Sequence, residues 1–263
     1  IGIIGGSGLE DESFVECKEV KVVETPFGNT SDSLTIGRIH GIRCVILSRH
    51  GKNHTINPTN VNYKANIWAL KQERCNVLVV SCAVGSLKET IVPGDVVILD
   101  QFIDRTTKRL STFYDGSSDL FPGVCHIPMA HPFCEDLNKL LHSIANDLGI
   151  RSHASGTIVV IEGPRFSSRA ESKVWQSYGA SVVGMTTFPE VSLAAELALP
   201  YTALALVTDM DSWQESDHVD VDKVMKQMKK NSQSFKNIIL NLIPKILSLN
   251  WPKLLQNSEV IAT

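Results

Sequence analysis

An almost unbroken apolar run, residues 201–207, follows Pro200 and ends abruptly in Thr208, Asp209 and Asp211. A run of this kind after a turn signal is typical of a strand that is buried on both faces of a mostly parallel sheet. Ligands of open α/β sheets bind beyond the carboxyl ends of the strands, so the two carboxylates are candidates for ligand recognition. The alternative is that either aspartate caps the next helix or shapes a turn.

Composition and charge narrow the class of protein. The chain has 263 residues, 43% of them hydrophobic, with a formal net charge of -3. This fits one large α/β domain, or at most two small ones, and the charge is too near neutral for a general nucleic-acid or membrane binder. No apolar segment reaches the ~20 residues that cross a bilayer. No signal peptide is visible, and because the sequence begins with Ile1 rather than Met we expect a few residues upstream.

The cysteines indicate reduced, buried thiols rather than a disulfide framework. The chain has 6 cysteines, none forms a C-x-x-C pair, and most have apolar neighbours, as Cys44 does. Cys125 and His126, with His131 nearby, could bind a metal, but no acidic or sulfur partner has a ligand-like spacing. We therefore expect a cytoplasmic protein, with the nucleus as a further location, and no bound metal.

A glycine-rich turn follows the first predicted strand. Residues 1–4 are largely apolar, and residues 5–8 read Gly-Gly-Ser-Gly. Such a turn lets successive backbone N–H groups converge on an anion, and Ser7 adds a hydroxyl donor. The G-x-G-x-x-G pattern of dinucleotide sites is not met, and Asp11 would repel a pyrophosphate. The turn is a candidate phosphate site, with a plain tight turn as the alternative.

A second candidate anion site follows a predicted hairpin, residues 34–39 and 42–47. Its second strand leads into Arg49 and His50. Arginine can hold an oxyanion through two parallel hydrogen bonds, and histidine can donate a further one. An Arg-His-Gly triplet also occurs in histidine phosphatases, but there it follows the first strand of the domain. A basic surface loop is the remaining alternative.

The other predicted strands are residues 77–80, 96–100, 157–161 and 181–184, separated by helices, a turn at residues 93–95 and one long loop. We predict helices near residues 57–74 and 131–148, a long amphipathic helix from Val221, and capping boxes at Ser168 with Glu171 and at Thr187 with Glu190. Residues 101–129 lack periodicity and are interpreted as a functional loop. Phe166 could stack on a planar ligand or belong to the core.

Taken along the chain, cationic and hydroxyl groups follow the early strands and carboxylates follow the last one. This order indicates one small ligand with an anionic part and a hydrogen-donating part. It requires no nucleophile with a triad, no metal cage and no cofactor motif. The residues concerned are Ser7, Arg49, His50, Ala83, Thr186, Asp209 and Asp211.

Six stretches closely resemble the methylthioadenosine phosphorylase family of the trimeric purine nucleoside phosphorylase superfamily. They are residues 3–9, 48–51, 62–70, 101–106, 162–166 and 208–211. The resemblance implies a single α/β nucleoside phosphorylase domain over residues 1–263, with a mixed central β-sheet flanked by helices. It also implies a homotrimer whose active sites lie near subunit interfaces.

The same resemblance implies a reaction. Members cleave 5'-deoxy-5'-methylthioadenosine with phosphate to adenine and 5-methylthioribose 1-phosphate, a step of methionine and purine salvage. Inorganic phosphate is a co-substrate, and no metal or organic cofactor is expected. Two positions depart from the family pattern, because Cys82 stands where Thr is common and Gly184 where Asn is familiar. They bear on phosphate affinity and ribose tolerance rather than on the reaction class.

Site residues follow from the resemblance as well. Phosphate is expected to contact Ser7, Arg49, His50, Cys82, Ala83 and Thr186. The nucleoside is expected to contact Phe166, Met185, Thr208, Asp209, Met210 and Asp211. Ser167 is expected to contribute to specificity. Specificity for the 5' group is expected from Val221, Val224 and, from a neighbouring subunit, His126.

Asp209 and Asp211 are the candidate catalytic residues. An ionised carboxylate only accepts hydrogen bonds, so it suits the exocyclic amine of adenine and repels the oxygen of a 6-oxopurine. A carboxyl beside a second one has a reason to hold a proton near neutrality, which makes Asp209 a candidate donor to N7 of the leaving base. The rivals are a phosphorylase that prefers 6-oxopurines and a catalytically silent nucleoside-binding protein.

Overall fold

A mixed β-sheet with helices on both faces forms the body of the computed structural model, which describes residues 1–6, 14–214 and 220–256. The strands are β1 (Gly2–Gly5), β2 (Glu16–Lys21), β3 (Glu24–Thr25), β4 (Gly28–Asn29), β5 (Leu34–Ile39), β6 (Ile42–Ser48), β7 (Leu78–Ser86), β8 (Val96–Ile98), β9 (Gln101–Arg105), β10 (Ser152–His153), β11 (Thr157–Ile161), β12 (Val182–Gly184) and β13 (Tyr201–Asp209). The helices are α1 (Tyr63–Gln72), α2 (Glu135–Asp147), α3 (Arg169–Ser177), α4 (Thr187–Glu196), α5 (Val221–Ile246) and α6 (Trp251–Gln256), with a 3-10 turn at Pro58–Asn60.

The strand order brings the chemically interesting strand ends together. The main path runs β10-β8-β13-β7-β1-β6-β5-β2, and β12 joins β7 to the neighbouring pair β11 and β9. The central neighbours β13, β7, β1 and β6 are parallel to one another. Antiparallel pairs lie on either side of them, at β8 with β13, β12 with β7 and β5 with β6. The expected single-domain mixed α/β fold is confirmed.

The two faces of β13 explain why its sequence is apolar throughout. Ala203 and Ala205 belong to the core beneath α1 and α4, whereas Leu204 and Leu206 belong to the core beneath α2 and α5. Successive side chains of a strand point to opposite faces. A strand with a helical layer on each side therefore loses the polar-apolar alternation of a half-exposed strand.

The helices follow their sequence signals with shifts at the ends. Ser168 and Glu171 form the predicted capping box of α3, and the long amphipathic helix is α5. Asn57 caps a 3-10 turn, while Asn62 caps α1. The expected loop 101–129 begins with strand β9 instead, which pairs with β11; residues 106–134, all of them described, carry no helix or strand.

Within the described part of the chain, none of the helices is long and apolar enough to span a lipid bilayer.

Candidate active site

A cavity of about 250 Å³ opens at the carboxyl edge of the central parallel strands. Most of its wall comes from the last residues of β7, β11, β12 and β13 and from the segments that follow β1, β6, β11, β12 and β13, and the rest comes from the first turns of α5. The walls are Gly6, Arg49, His50, His54, Pro58, Ala83, Val84, Gly85, Ile161, Pro164, Phe166, Ser167, Val183, Gly184, Met185, Thr186, Thr208, Asp209, Asp211, Val221, Val224, Met225 and Met228.

Most of the predicted site residues meet in this one cavity. Cys82, Met210 and His126 are not among its walls, and Ser7 lies outside the described residues. The Cys82 thiol is buried between the hydroxyl of Thr187 and the carbonyl of Leu204, and burial raises its pKa to about 11. His126 is exposed.

Arg49 is held by a buried carboxylate that the sequence did not reveal. Its Nε donates to Glu190 Oε1 at 2.5 Å and its Nη2 to Glu190 Oε2 at 2.9 Å. Nη1 donates to the carbonyl of Ser81 at 3.0 Å, and the Tyr201 hydroxyl donates to Glu190 at 2.8 Å. A guanidinium has five N–H donors, so Arg49 still has donors for a ligand. The two parallel donors that could bind an anion in a bidentate way are already bound to Glu190.

The capping box predicted at Thr187 and Glu190 is wrong. The N-cap of α4 is Thr186, without a side-chain bond to the helix. Glu190, which is fully buried, directs its carboxylate to Arg49 instead. A buried arginine without an anion would be costly, and this long-range charge partner outweighs a cap worth about 1 kcal/mol.

His50 is neutral and its tautomer is fixed. Nδ1 lies 2.8 Å from the carbonyl oxygen of Ile56, and because a carbonyl only accepts, Nδ1 carries the hydrogen. Burial, and next the charge of Arg49, lower the pKa of His50 to about 4. His54 and Arg109 act in the same direction, while the bond to Ile56 opposes them. Nε2 is therefore an acceptor near neutral pH.

The pKa of His50 predicts an acid-sensitive fold. Between pH 6.5 and about 4 the unfolded chain binds a proton at this histidine that the folded chain does not, so stability falls as the pH falls through this window. At about 1.36 kcal/mol per pKa unit, the loss amounts to about 3 kcal/mol. We expect His50→Asn, which keeps a donor for Ile56, to flatten the slope of unfolding free energy measured by denaturant between pH 7 and 4.5.

The exposed His131 supplies the matched control for this measurement. His131→Asn removes a histidine without touching the cavity, so it should keep the wild-type slope. Identical slopes for His50→Asn and the wild type would show that His50 is not buried in its neutral form.

Asp209 and Asp211 are tied into the end of β13 by short hydrogen bonds. Asp209 accepts from the hydroxyl of Thr208 at 2.6 Å and from the backbone N–H of Asp211 at 3.0 Å. Asp211 accepts from the hydroxyl of Ser172 on α3 at 2.5 Å. Burial raises the pKa of Asp211, although hydrogen bonds from Ser172, Ser212 and Ser167 oppose this rise. The pair is thus pre-oriented, and one of its carboxyls binds a proton more readily than usual.

Gly85 makes room for this acidic pair. The pairing of β13 with β7 shifts between Val207 and Asp209, which re-aims the end of the strand. A Cβ on Gly85 would lie 3.0 Å from Asp209 Oδ2 and 3.1 Å from the Cβ of Asp211. Glycine in the middle of a strand often marks such a close approach, and the sequence contains this signal in the run that follows residue 80.

The end of the cavity formed by α5 is apolar. Val221 and Val224 line it, as the resemblance implied, and Met225 and Met228 extend the same wall. Methionine is unbranched and adapts to irregular shapes. The spacing of these four residues is helical, so their participation could have been inferred once Val221 and Val224 were assigned. Among the described residues no cluster of metal-ligating side chains occurs.

Both the sequence and the fold of the chain match known proteins. A model of the phosphorylase superfamily matches residues 1–244, so the chain belongs to the phosphorylase superfamily. The chain is similar to the S-methyl-5'-thioadenosine phosphorylase of Xenopus tropicalis. The two are 54% identical over 261 residues, and the match covers 98% of this chain and 93% of the relative. The enzyme of the same name from Danio rerio is 54% identical over 252 residues, with 95% and 90% covered.

Solved structures of similarly named enzymes also resemble this chain. Methylthioadenosine phosphorylase from Schistosoma mansoni in complex with adenine has a TM-score of 0.93 and 41% identity, and the match covers 98% of this chain and 95% of that one. A mutant adenosine/methylthioadenosine phosphorylase from the same organism, in complex with methylthioadenosine, has a TM-score of 0.92 and 41% identity, with 98% and 94% covered. The resemblance inferred from the six sequence stretches is therefore confirmed.

Proposed function

We propose that this protein cleaves 5'-deoxy-5'-methylthioadenosine with inorganic phosphate, giving adenine and 5-methylthioribose 1-phosphate, as a step of methionine and purine salvage. One observation carries the proposal. A single cavity has the donors of Arg49 at one part of its wall and the carboxylates of Asp209 and Asp211 at another. The donors of Arg49 suit an anionic co-substrate, and the carboxylates suit an aminopurine.

The phosphate site comprises Ser7, Arg49, His50, Cys82, Ala83 and Thr186. The free N–H groups of Arg49 and the hydroxyl of Thr186 donate to phosphate oxygens, while neutral His50 accepts from a protonated oxygen through Nε2. Arg49 and Glu190 cancel each other's charge, so the anion is held largely by directed hydrogen bonds. Ser7 and Cys82 enter this set through the family resemblance.

The base site comprises Phe166, Ser167, Thr208, Asp209, Met210 and Asp211. The acidic pair accepts from the exocyclic amine and shares a proton with N7 of adenine. Breaking the N-glycosidic bond develops positive charge on the sugar and negative charge on the purine. Phosphate stabilises the first and the acidic pair the second, and one well-placed group of this kind typically contributes about 3–4 kcal/mol. Met185 lies along the sugar between the two ends.

The 5' group occupies the apolar wall of Val221 and Val224, closed by His126 of a neighbouring subunit in a homotrimer. Leu110, Leu120 and Val124 in the segment around His126 are exposed large apolar side chains, and such exposure favours a subunit contact. The cysteines are free thiols, which supports a reducing, cytoplasmic compartment. No metal or organic cofactor takes part in this scheme, and the catalytic domain spans residues 1–263.

Adenine release from methylthioadenosine tests this function. We expect adenine to form only when phosphate is added, with methylthioribose 1-phosphate in equal amount, and to be detected by chromatography of the reaction. The same assay with inosine is the control and should give much slower release. Binding of methylthioadenosine without any phosphate-dependent adenine would instead support a silent nucleoside-binding protein.

A further inference from the structure

Arg109 is a buried arginine that does not line the cavity. It comes from the irregular segment after β9, and its side chain is 1% exposed. A buried guanidinium is costly unless its donors and its charge are satisfied. Its partners therefore indicate what this side chain holds in place.

The guanidinium of Arg109 binds the backbone at the ends of two neighbouring strands. Nη1 donates to the carbonyl of Met185 at 2.5 Å and to that of Phe188 at 2.8 Å. Nη2 donates to the carbonyl of Glu162 at 2.9 Å and lies 3.4 Å from that of Ile161. One side chain thus joins the end of β11, the end of β12 and the first turn of α4.

Two of these carbonyls, those of Glu162 and Met185, belong to the residues directly after the last residues of β11 and β12. Phe188 has φ -104° and ψ 136°, which is non-helical although it lies within α4. Carbonyl groups withdrawn from water need a donor, and Arg109 supplies one to each of these segments. Met185, whose carbonyl it holds, is followed directly by Thr186, and both line the cavity.

The carboxylate of Glu162 binds the Arg109 guanidinium and stays ionised. Its carboxylate accepts from Arg109 Nε at 3.1 Å, from the hydroxyl of Thr59 at 2.9 Å and from the N–H of Thr107 at 2.7 Å. Burial alone would raise the pKa of Glu162, but the bonds from Thr107, Thr59 and Arg109 outweigh it and the pKa falls to about 2. The carboxylate is therefore ionised at any working pH.

We propose that Arg109, fixed by Glu162, is a positioning residue that sets the 185–186 peptide and thereby aligns the phosphate-binding and sugar-binding groups of the cavity. It acts on the reaction only through Met185 and Thr186. Asp209 and Asp211 are not among its partners, so the acidic pair of the base site is held independently of it. Because this role presupposes the proposed function, wild-type adenine release is measured first.

Arg109→Lys tests this role. Lysine keeps the charge but lacks the planar fork that reaches several carbonyls at once. We expect kcat to fall about 10²-fold and KM for phosphate to rise, while the Kd of adenine measured by calorimetry without phosphate stays at its wild-type value. Glu162→Gln should shift the same constants in the same direction. It keeps the side-chain shape, and it replaces Arg109→Lys if that variant does not fold.

Arg43→Lys is the matched control, because Arg43 donates to both the carbonyl and the carboxylate of Glu73 at the opposite end of β6. It should leave kcat and both constants unchanged. If Arg109→Lys keeps the wild-type kinetic constants, the positioning role of Arg109 is overturned. The proposed function is not, since the wild type would still release adenine. A parallel rise in the Kd of adenine would also overturn the positioning role, because that would indicate general loosening. Absence of adenine release by the wild type would overturn the proposed function and this role with it.

Discussion

Glu190→Gln is expected to lower the free energy of unfolding by about 3–5 kcal/mol in phosphate-free buffer, as removal of one partner from a buried ion pair usually does. Arg49 is 1% exposed and Glu190 is fully buried, so neither water nor a surface charge can replace the carboxylate. The glutamine still accepts one hydrogen bond from Arg49, and it leaves the positive charge uncompensated. Denaturant unfolding of the variant and the wild type measures this loss.

Phosphate should restore part of the stability of Glu190→Gln. An anion bound beside Arg49 compensates its charge, and a ligand at a hundred times its Kd stabilises a folded protein by about 2.7 kcal/mol. The phosphate-induced gain should therefore be larger in the variant than in the wild type. Glu135→Gln, which breaks an exposed pair with Lys139, is the control without either effect. If Glu190→Gln unfolds with wild-type energy, Arg49 does not depend on this carboxylate.

The central strands could be predicted because their causes are local. Residues 44–47 and 201–207 are almost entirely apolar and are followed by polar groups, which is the pattern of a strand covered on both faces. The position of Asp209 at the end of a strand could likewise be predicted from the sequence. The parallel order of β13, β7, β1 and β6 was not, since each pairing depends on residues far apart in sequence.

Glu190 and Arg109 could not be assigned from sequence for the same reason. Glu190 meets Arg49 across 141 residues, and its local pattern with Thr187 favoured a helix cap. Arg109 lies in a segment without periodicity, where only the folded chain shows which carbonyls it reaches. Sequence motifs thus indicated most of the groups that line the cavity, whereas the buried charges that hold those groups required the structure.

Asp209→Asn is expected to lower kcat for methylthioadenosine by about 10²-fold or more, the usual contribution of a positioned general acid. An amide cannot transfer a proton to N7 of the leaving adenine. The fold should survive, because the amide oxygen can accept from the N–H of Asp211. The Thr208 hydroxyl can then turn toward the carbonyl of Val84, 3.1 Å away, and accept from the new NH2 group.

Selectivity should change together with rate in Asp209→Asn. The amide carries permanent N–H donors where the wild-type carboxylate, once ionised, has only acceptors, and a donor suits the oxygen of a 6-oxopurine. The ratio of kcat/KM for methylthioadenosine over inosine should therefore fall. This fall should exceed the change in the ratio that loss of proton transfer alone would cause. Asp147→Asn, at an exposed pair with Lys245, should keep the wild-type ratio. If Asp209→Asn retains both the rate and the ratio of the wild type, the acidic pair does not contact the base, and the side of the cavity opposite Arg49 must bind another part of the substrate.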